Sequence, residues 1–184
     1  AKCPFITVTG GESSVAFQSV DCDAAKRKVD AGLTRLAACD AADLAAVLLE
    51  PMMGSGGCIP ATRDFLAGLR DATREVGAML IFDEVMTSRH TAGGLQKLHG
   101  ITPDLVSLGK YIAGGMSFGA FGGRADVMSV FDSHKPNALT HAGTFNNNAL
   151  TMAAGVAGYG EVYTAEAAKT LNDRGDSIRE RLNA

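Results

Sequence analysis

Met79-Leu-Ile-Phe-Asp-Glu-Val-Met-Thr-Ser88 decides the fold. Four apolar residues run straight into a pair of carboxylates. An unbroken apolar run of this length after a helical pattern reads as a strand of a parallel sheet covered on both faces. Asp83 then falls at the strand's carboxyl end, where open α/β sheets place their ligand crevices. A second apolar run, Leu105 to Leu108, stops at Gly109-Lys110 and is followed by Gly114-Gly115. Two consecutive parallel strands therefore deliver a carboxylate and an amine to one rim.

Working outward, Leu44 to Leu49 is a buried strand ended by Glu50-Pro51, because proline lacks the sheet donor and restricts the residue before it. Pro60 to Val76 is the clearest helix. Phe65, Leu69, Ala72 and Val76 share one face with Leu66 beside them, while Arg63, Asp64, Arg70, Asp71 and Arg74 are spread over the rest. Gly77 stops the helix. Leu44 to Asp83 is thus a strand–helix–strand unit, expected to be a right-handed parallel crossover. Residues 5 to 8 read as a short strand, Gly10-Gly11 as a turn and Lys26 to Ala38 as an amphipathic helix. Gly54 to Gly57 is a loop. Gly93 to His99 is a short helix or coil, Phe118 to Gly123 a strand and Arg124 to Phe131 a short helix. Asn146 to Ala168 is a helical stretch interrupted by glycines, and the helical pattern resumes from Leu171 to Leu182.

The chain has 184 residues, a net charge of −3 and scattered basic residues, which argues against a nucleic-acid or membrane-surface partner. No run of 18 apolar residues occurs. Cys3, Cys22, Cys39 and Cys58 are far apart without CxxC spacing, so they read as reduced thiols in a cytoplasmic setting. His90, His99, His134 and His141 have no metal-ligand spacing. Gly54-Ser-Gly-Gly57 and Gly114-Gly115 match neither the dinucleotide nor the P-loop pattern. The chain has no initiating Met and ends in mid-helical pattern, which reads as a piece of a longer protein.

Lys110 and Asp83 each have two readings. Lys110 is either a solvated lysine or an amine made nucleophilic by partial desolvation next to Gly109. Asp83 either caps the next turn or sits beneath a pyridinium nitrogen, where a carboxylate keeps a pyridoxal phosphate ring protonated. Val85, two residues on, has a branched side chain suited to a ring face.

Glu50-Pro51, Phe82-Asp-Glu-Val-Met-Thr87, Pro103-Asp104, Leu108-Gly-Lys110, Gly119-Ala-Phe-Gly-Gly-Arg124 and Gly143-Thr-Phe-Asn-Asn-Asn148 occur in order. Together they resemble the class III, ω-type pyridoxal-phosphate aminotransferases, nearest the glutamate-1-semialdehyde 2,1-aminomutase-like branch. The resemblance runs from about residue 40 to the end. It implies a partial large domain of the fold type I α/β architecture, with a mostly parallel sheet and flanking helices. Residues 1–168 would form that partial cofactor-binding domain, and 169–184 the start of a helical link toward a small domain. It implies pyridoxal 5'-phosphate as cofactor and Lys110 as the Schiff-base lysine and proton shuttle. Asp83 would pair with the pyridine nitrogen, Val85 would stack on the ring, and Glu50 would give electrostatic support. Thr144 resembles the threonine that reaches the phosphate of the neighbouring subunit, which implies a homodimer in the full-length protein.

Ser88-Arg89-His90, Gly115-Met-Ser-Phe-Gly119 and Asn146-Asn-Asn148 depart from the best-known aminomutases and look more like β-amino-acid aminotransferases. The substrates implied are an amino acid, in one reading a β-amino acid, and an oxo acid. Intramolecular transfer, as in the aminomutase, is the alternative, and an inactive dimerisation or structural module is the alternative from another class. Arg89 is either a carboxylate partner for substrate or a surface arginine. Nothing in residues 1–39 matches the family's phosphate-binding loop or the aromatic that covers the other ring face.

Overall fold

The computed structural model describes residues 5–7, 44–55 and 57–184. The turn at Gly10-Gly11 and the helix expected over Lys26 to Ala38 lie outside these residues. A five-stranded sheet organises the rest: β1 (Phe5–Thr7), β2 (Ala46–Leu49), β5 (Met79–Asp83), β6 (Leu105–Gly109) and β7 (Gly119–Gly123), in that spatial order. The first four strands pair in parallel, and β7 closes the described edge in antiparallel register. Two short strands, β3 (Met52–Met53) and β4 (Ile59–Pro60), form a hairpin where the sequence reads only a loop. Its strands are too short for a pattern of alternation to be visible.

Helix α1 (Arg63–Glu75) connects β2 to β5. It starts three residues later than the apolar periodicity suggests, because Pro60 belongs to β4 and the Thr62 side chain caps the helix by accepting from the Phe65 N–H. Gly77 takes a left-handed conformation just beyond the last turn, as the sequence leads one to expect. Leu66 and Leu69 are the most deeply buried apolar residues of α1 and pack on Val47, Leu49, Leu80 and Phe82, while Phe65, Ala72 and Val76 lie at the margin. Each such fully buried Leu or Phe contributes about 1.5–3 kcal/mol. Along β5, burial alternates. Leu80 and Phe82 are enclosed, whereas Met79, Ile81 and Asp83 are half-buried, so among the described residues one face of the strand is the well-covered one.

Beyond β5 come α2 (Gly94–His99), β6, a 3₁₀ turn at Lys110–Ala113, β7 and α3 (Ala125–Met128), which runs into a 3₁₀ turn at Ser129–Phe131. The C-terminal stretch forms α4 (Ala149–Ala157), a π-helical turn at Gly158–Val162 and α5 (Ala165–Asn183). The sequence suggests glycine interruptions followed by resumption at Leu171. Instead α5 starts at Ala165, with Thr164 as its cap, and runs continuously through residues 168 and 169.

Two buried carboxylates pin opposite ends of the sheet. Asp104, just before β6, accepts from the Leu80 N–H at 2.7 Å and from Arg70 at 2.7 Å, and its other oxygen accepts from Arg124 at 2.9 Å. Arg70, assigned by helical pattern to the polar part of α1, is buried by this pair. Glu84, directly after β5, is wholly enclosed. It accepts from the Thr87 hydroxyl at 2.7 Å and from the Leu95 and Gln96 N–H groups at 2.8 Å. Those two amides open α2, so the carboxylate occupies the electropositive end of that helix. Gly94 (φ +70°) leaves space for it, since a Cβ there would run into the carboxyl group.

Burial raises the pKa of Asp104, but the Leu80 amide, Arg124 and Arg70 together outweigh it and hold the carboxyl below its usual value. A depressed carboxylate stabilises the fold above its unfolded pKa, and that stability disappears as pH falls through the folded value. Urea midpoints should therefore drop on acidification below about pH 4, and Asp104→Asn should remove that component. At pH 7 the substitution should cost about 3–5 kcal/mol, the usual effect of breaking a buried pair from one side. Glu84→Gln places an amide against donors and should cost about 1–3 kcal/mol. Hydrogen exchange at the Leu95 and Gln96 amides, faster than in the parent protein, is the local measure.

Candidate active site

Parallel pairing places the ends of β2, β5 and β6 side by side. Leu49 is in register with Phe82, and Asp83 with Ser107. Glu50 follows β2, Asp83 ends β5 and Lys110 follows β6, so one rim carries all three. The sequence reading of a carboxylate and an amine on adjacent strand ends corresponds to this order.

Each side chain has its own local cause. Asp83 is half-buried, and its Oδ1 accepts from the Val85 N–H at 3.0 Å, which turns the chain at the end of β5. That is the only hydrogen bond its carboxylate makes among the described residues, so Oδ2 is uncommitted. Glu50 accepts from the Gly54 N–H at 3.0 Å and so folds the following loop back on the strand end. Gly54 also faces Met86, whose sulfur would lie 2.8 Å from a Cβ at that position. Val85 is half-buried over Gly109: its methyl carbons would be 3.5 and 3.7 Å from a Cβ there. Gly109 thereby lets the residue after Asp83 and the residue before Lys110 approach closely.

Lys110 departs from the sequence reading of a desolvated amine. Among the described residues it is exposed. Its backbone is the unusual feature: φ is +55°, the left-handed region, at a long side chain with no glycine-like freedom. Such a conformation persists only where the surroundings fix it. Here Ala113 is buried at the end of the turn, Gly114 lies under the Ala154 carbonyl, and the Ile112 carbonyl lies 3.1 Å from where a Gly155 Cβ would be. Gly155 of α4 and Gly114 thus act as contact points between the helix and the lysine turn.

Behind this turn lies a cluster that periodicity and motif did not single out. Tyr111 and Tyr163 have ring centroids 4.4 Å apart, and the Arg89 guanidinium sits 5.0 Å from the Tyr111 ring centre. Burial pushes the Tyr111 phenol above its usual pKa. The Ser88 hydroxyl pulls against that, Tyr159 and Tyr163 add to the rise, and Arg89 opposes it. Arg89 is half-buried, so it is not the freely exposed arginine that one sequence reading allowed. Tyr163 lies 74 residues from Arg89, a separation at which sequence carries no periodic signal.

Thr144 is exposed in the turn before α4, where Asn146 N–H donates to the Gly143 carbonyl and Asn148 caps the helix. Among the described residues no hydrogen bond joins it to Glu50, Asp83 or Lys110. Cys58 is a free, exposed thiol. Among the described residues no helix is long and apolar enough to cross a membrane.

Comparison with known proteins agrees with this architecture. The family described as Aminotransferase class-III matches residues 9–184. The β-phenylalanine transaminase of Variovorax paradoxus is 58% identical over 142 residues, which span 77% of this chain and 32% of that protein. The crystal structure of the Variovorax paradoxus β-phenylalanine aminotransferase superposes with a TM-score of 0.80 at 52% identity, covering 84% of this chain and 35% of that one. A glutamate-1-semialdehyde aminomutase from Pseudomonas aeruginosa matches at a TM-score of 0.63 and 36% identity, over 75% of this chain and 32% of its own. This chain therefore spans about a third of the length of such relatives, and it belongs to the class-III aminotransferase family.

Proposed function

We propose that the full-length protein carrying this sequence is a pyridoxal-phosphate-dependent aminotransferase that moves the amino group of a β-amino acid to an oxo acid. The single observation that carries the reading is the pairing of β5 with β6, which sets Asp83 and Lys110 on one rim. The residues present suit the cofactor. Asp83 has an uncommitted carboxylate oxygen for a ring nitrogen, and Val85 offers an apolar surface beside it. The side-chain-free Gly109 keeps the approach open. When bound, the pyridine ring supplies an electron sink for the electrons released at the substrate's amine-bearing carbon. Asp83 holds a proton at the pyridine nitrogen, since a carboxylate next to it favours the charged form. Lys110 would hold the cofactor through Nζ, and the same Nζ would take and return the proton of the substrate's amine-bearing carbon. Glu50 fixes the loop through Gly54 and adds negative charge to the rim.

Transfer to a second substrate is favoured over intramolecular transfer by the 52% identity to the Variovorax paradoxus aminotransferase against 36% to the aminomutase when the structures are superposed. Ser88-Arg89-His90 and Met116-Ser117-Phe118 support the same choice. Residues 1–168 act as part of the cofactor-binding domain, with 169–184 leading toward a further domain. Thr144, exposed and without a hydrogen bond to the described rim residues, suits contact with the cofactor phosphate of a neighbouring subunit, which would make the working form a homodimer with shared sites. A reducing, cytoplasmic location suits the exposed thiol of Cys58.

Full-length protein supplied with pyridoxal 5'-phosphate should show visible absorbance that borohydride reduction abolishes, and Lys110→Ala should lose it. A β-amino acid with 2-oxoglutarate or pyruvate should give acceptor-dependent amine transfer with ping-pong kinetics. Acceptor-independent conversion of glutamate-1-semialdehyde to 5-aminolevulinate, without turnover of β-amino acids, would make it an aminomutase. Colourless protein under these conditions would favour a non-catalytic module. Mixed dimers of a Lys110→Ala subunit with a Thr144→Ala subunit should regain activity relative to either parent; a verified mixed dimer without recovery would count against shared sites.

A further inference from the structure

We propose that Arg89 is a positioning residue for Lys110, acting through Tyr111. This rests on the reading that Lys110 Nζ bonds the cofactor. The backbone at Lys110 is held in a left-handed conformation that a lysine does not adopt without support. One side of its turn is supported by α4, through the contacts of Gly114 with Ala154 and of Gly155 with Ile112. The other support falls on Tyr111, the very next residue. Its ring is flanked by the Tyr163 ring at 4.4 Å and by the Arg89 guanidinium at 5.0 Å.

Arg89 is itself anchored from the far end of the chain. Tyr163 donates its hydroxyl to the Arg89 carbonyl at 3.2 Å, and Asn172 of α5 donates to the neighbouring His90 carbonyl at 2.8 Å. The Arg89 Nε is buried with no hydrogen-bond partner, and none of the described carboxylates pairs with the guanidinium. Among the described residues its guanidinium contact is with the Tyr111 ring. A planar guanidinium stacks on such a ring, which the compact ammonium of lysine does not reproduce. Since Arg89 lies on the segment that leaves β5 and Lys110 on the one that leaves β6, the stack joins the Asp83 side of the rim to the Lys110 side.

The test uses full-length protein freed of cofactor, then mixed with pyridoxal 5'-phosphate. In Arg89→Ala the visible band should form about tenfold more slowly than in wild type, and in Arg89→Lys about threefold more slowly. The pH midpoint of that band should move, because the lysine nitrogen is no longer held in one place. With substrate, kcat should fall in parallel while KM for the amine donor stays within about twofold, since transition-state geometry and not binding is affected. Tyr163→Phe, which removes only the hydroxyl anchor, should give a smaller effect in the same direction and decides the matter if Arg89→Ala does not fold. Wild-type band formation and kcat in both Arg89→Lys and Tyr163→Phe would overturn the proposal. So would a raised KM with unchanged kcat, which would make Arg89 a substrate-binding residue. Lys110→Ala separates the two levels. If its band persists, the reading of Lys110 falls; if its band is lost while the Arg89 variants behave as wild type, only the positioning role falls.

Discussion

Everything at the candidate site depends on β5 and β6 pairing in parallel, with Asp83 level with Ser107. A parallel neighbour sends both strands out of the sheet at the same edge, so residues after each strand meet without any long-range search. An antiparallel pairing would have put the carboxylate and the amine at opposite ends. The buried carboxylates act on this constraint from both sides. Asp104 ties the amino end of β6 to β5 through the Leu80 amide and to α1 through Arg70. Glu84 holds the exit of β5 against α2. Both sites have satisfied acceptors, which is what makes an enclosed negative charge tolerable.

The two pins differ in kind. Asp104 meets two guanidinium groups, one buried and one half in solvent, and balances its burial with charge. Among the described residues Glu84 meets no cation and relies on a hydroxyl and two helix amides. The first arrangement rests on opposite charge, the second on the fit of neutral donors. Gly94 belongs to the second, because any side chain there would displace the carboxylate. The rim is thereby fixed by Glu84 to α2 while Asp104 holds the opposite strand ends, and loops positioned by a rigid scaffold are where binding residues commonly reside. Gly109 has the corresponding role between the two exits, since its missing side chain is what allows Val85 to settle beside the lysine turn.

Much of this was legible in the residues themselves. Met79 to Phe82 specified a strand because a short unbroken apolar run after a helix suits a sheet position, and Gly77 marked the end of the preceding helix. Pro51 closed β2 by removing a donor. The ordered motifs from Glu50-Pro51 to Asn148 carried the family. These are local signals, each set by the chemistry of a few neighbouring residues.

Tertiary structure alone decided the rest. Arg70 sits on a helix face that its charge assigns to solvent, yet it is buried, because a carboxylate 34 residues away makes the burial favourable. The hairpin of β3 and β4 has only two residues per strand, too few for a periodic pattern. The left-handed backbone at Lys110 and the stack of Arg89 on Tyr111 are invisible in sequence, since nothing in a lysine or tyrosine encodes the contacts that hold it. Sequence determined which residues could do the chemistry, through side-chain type and strand position. Which of them are exposed, held or paired was determined by segments distant along the chain, because burial and hydrogen bonding are properties of neighbours in space.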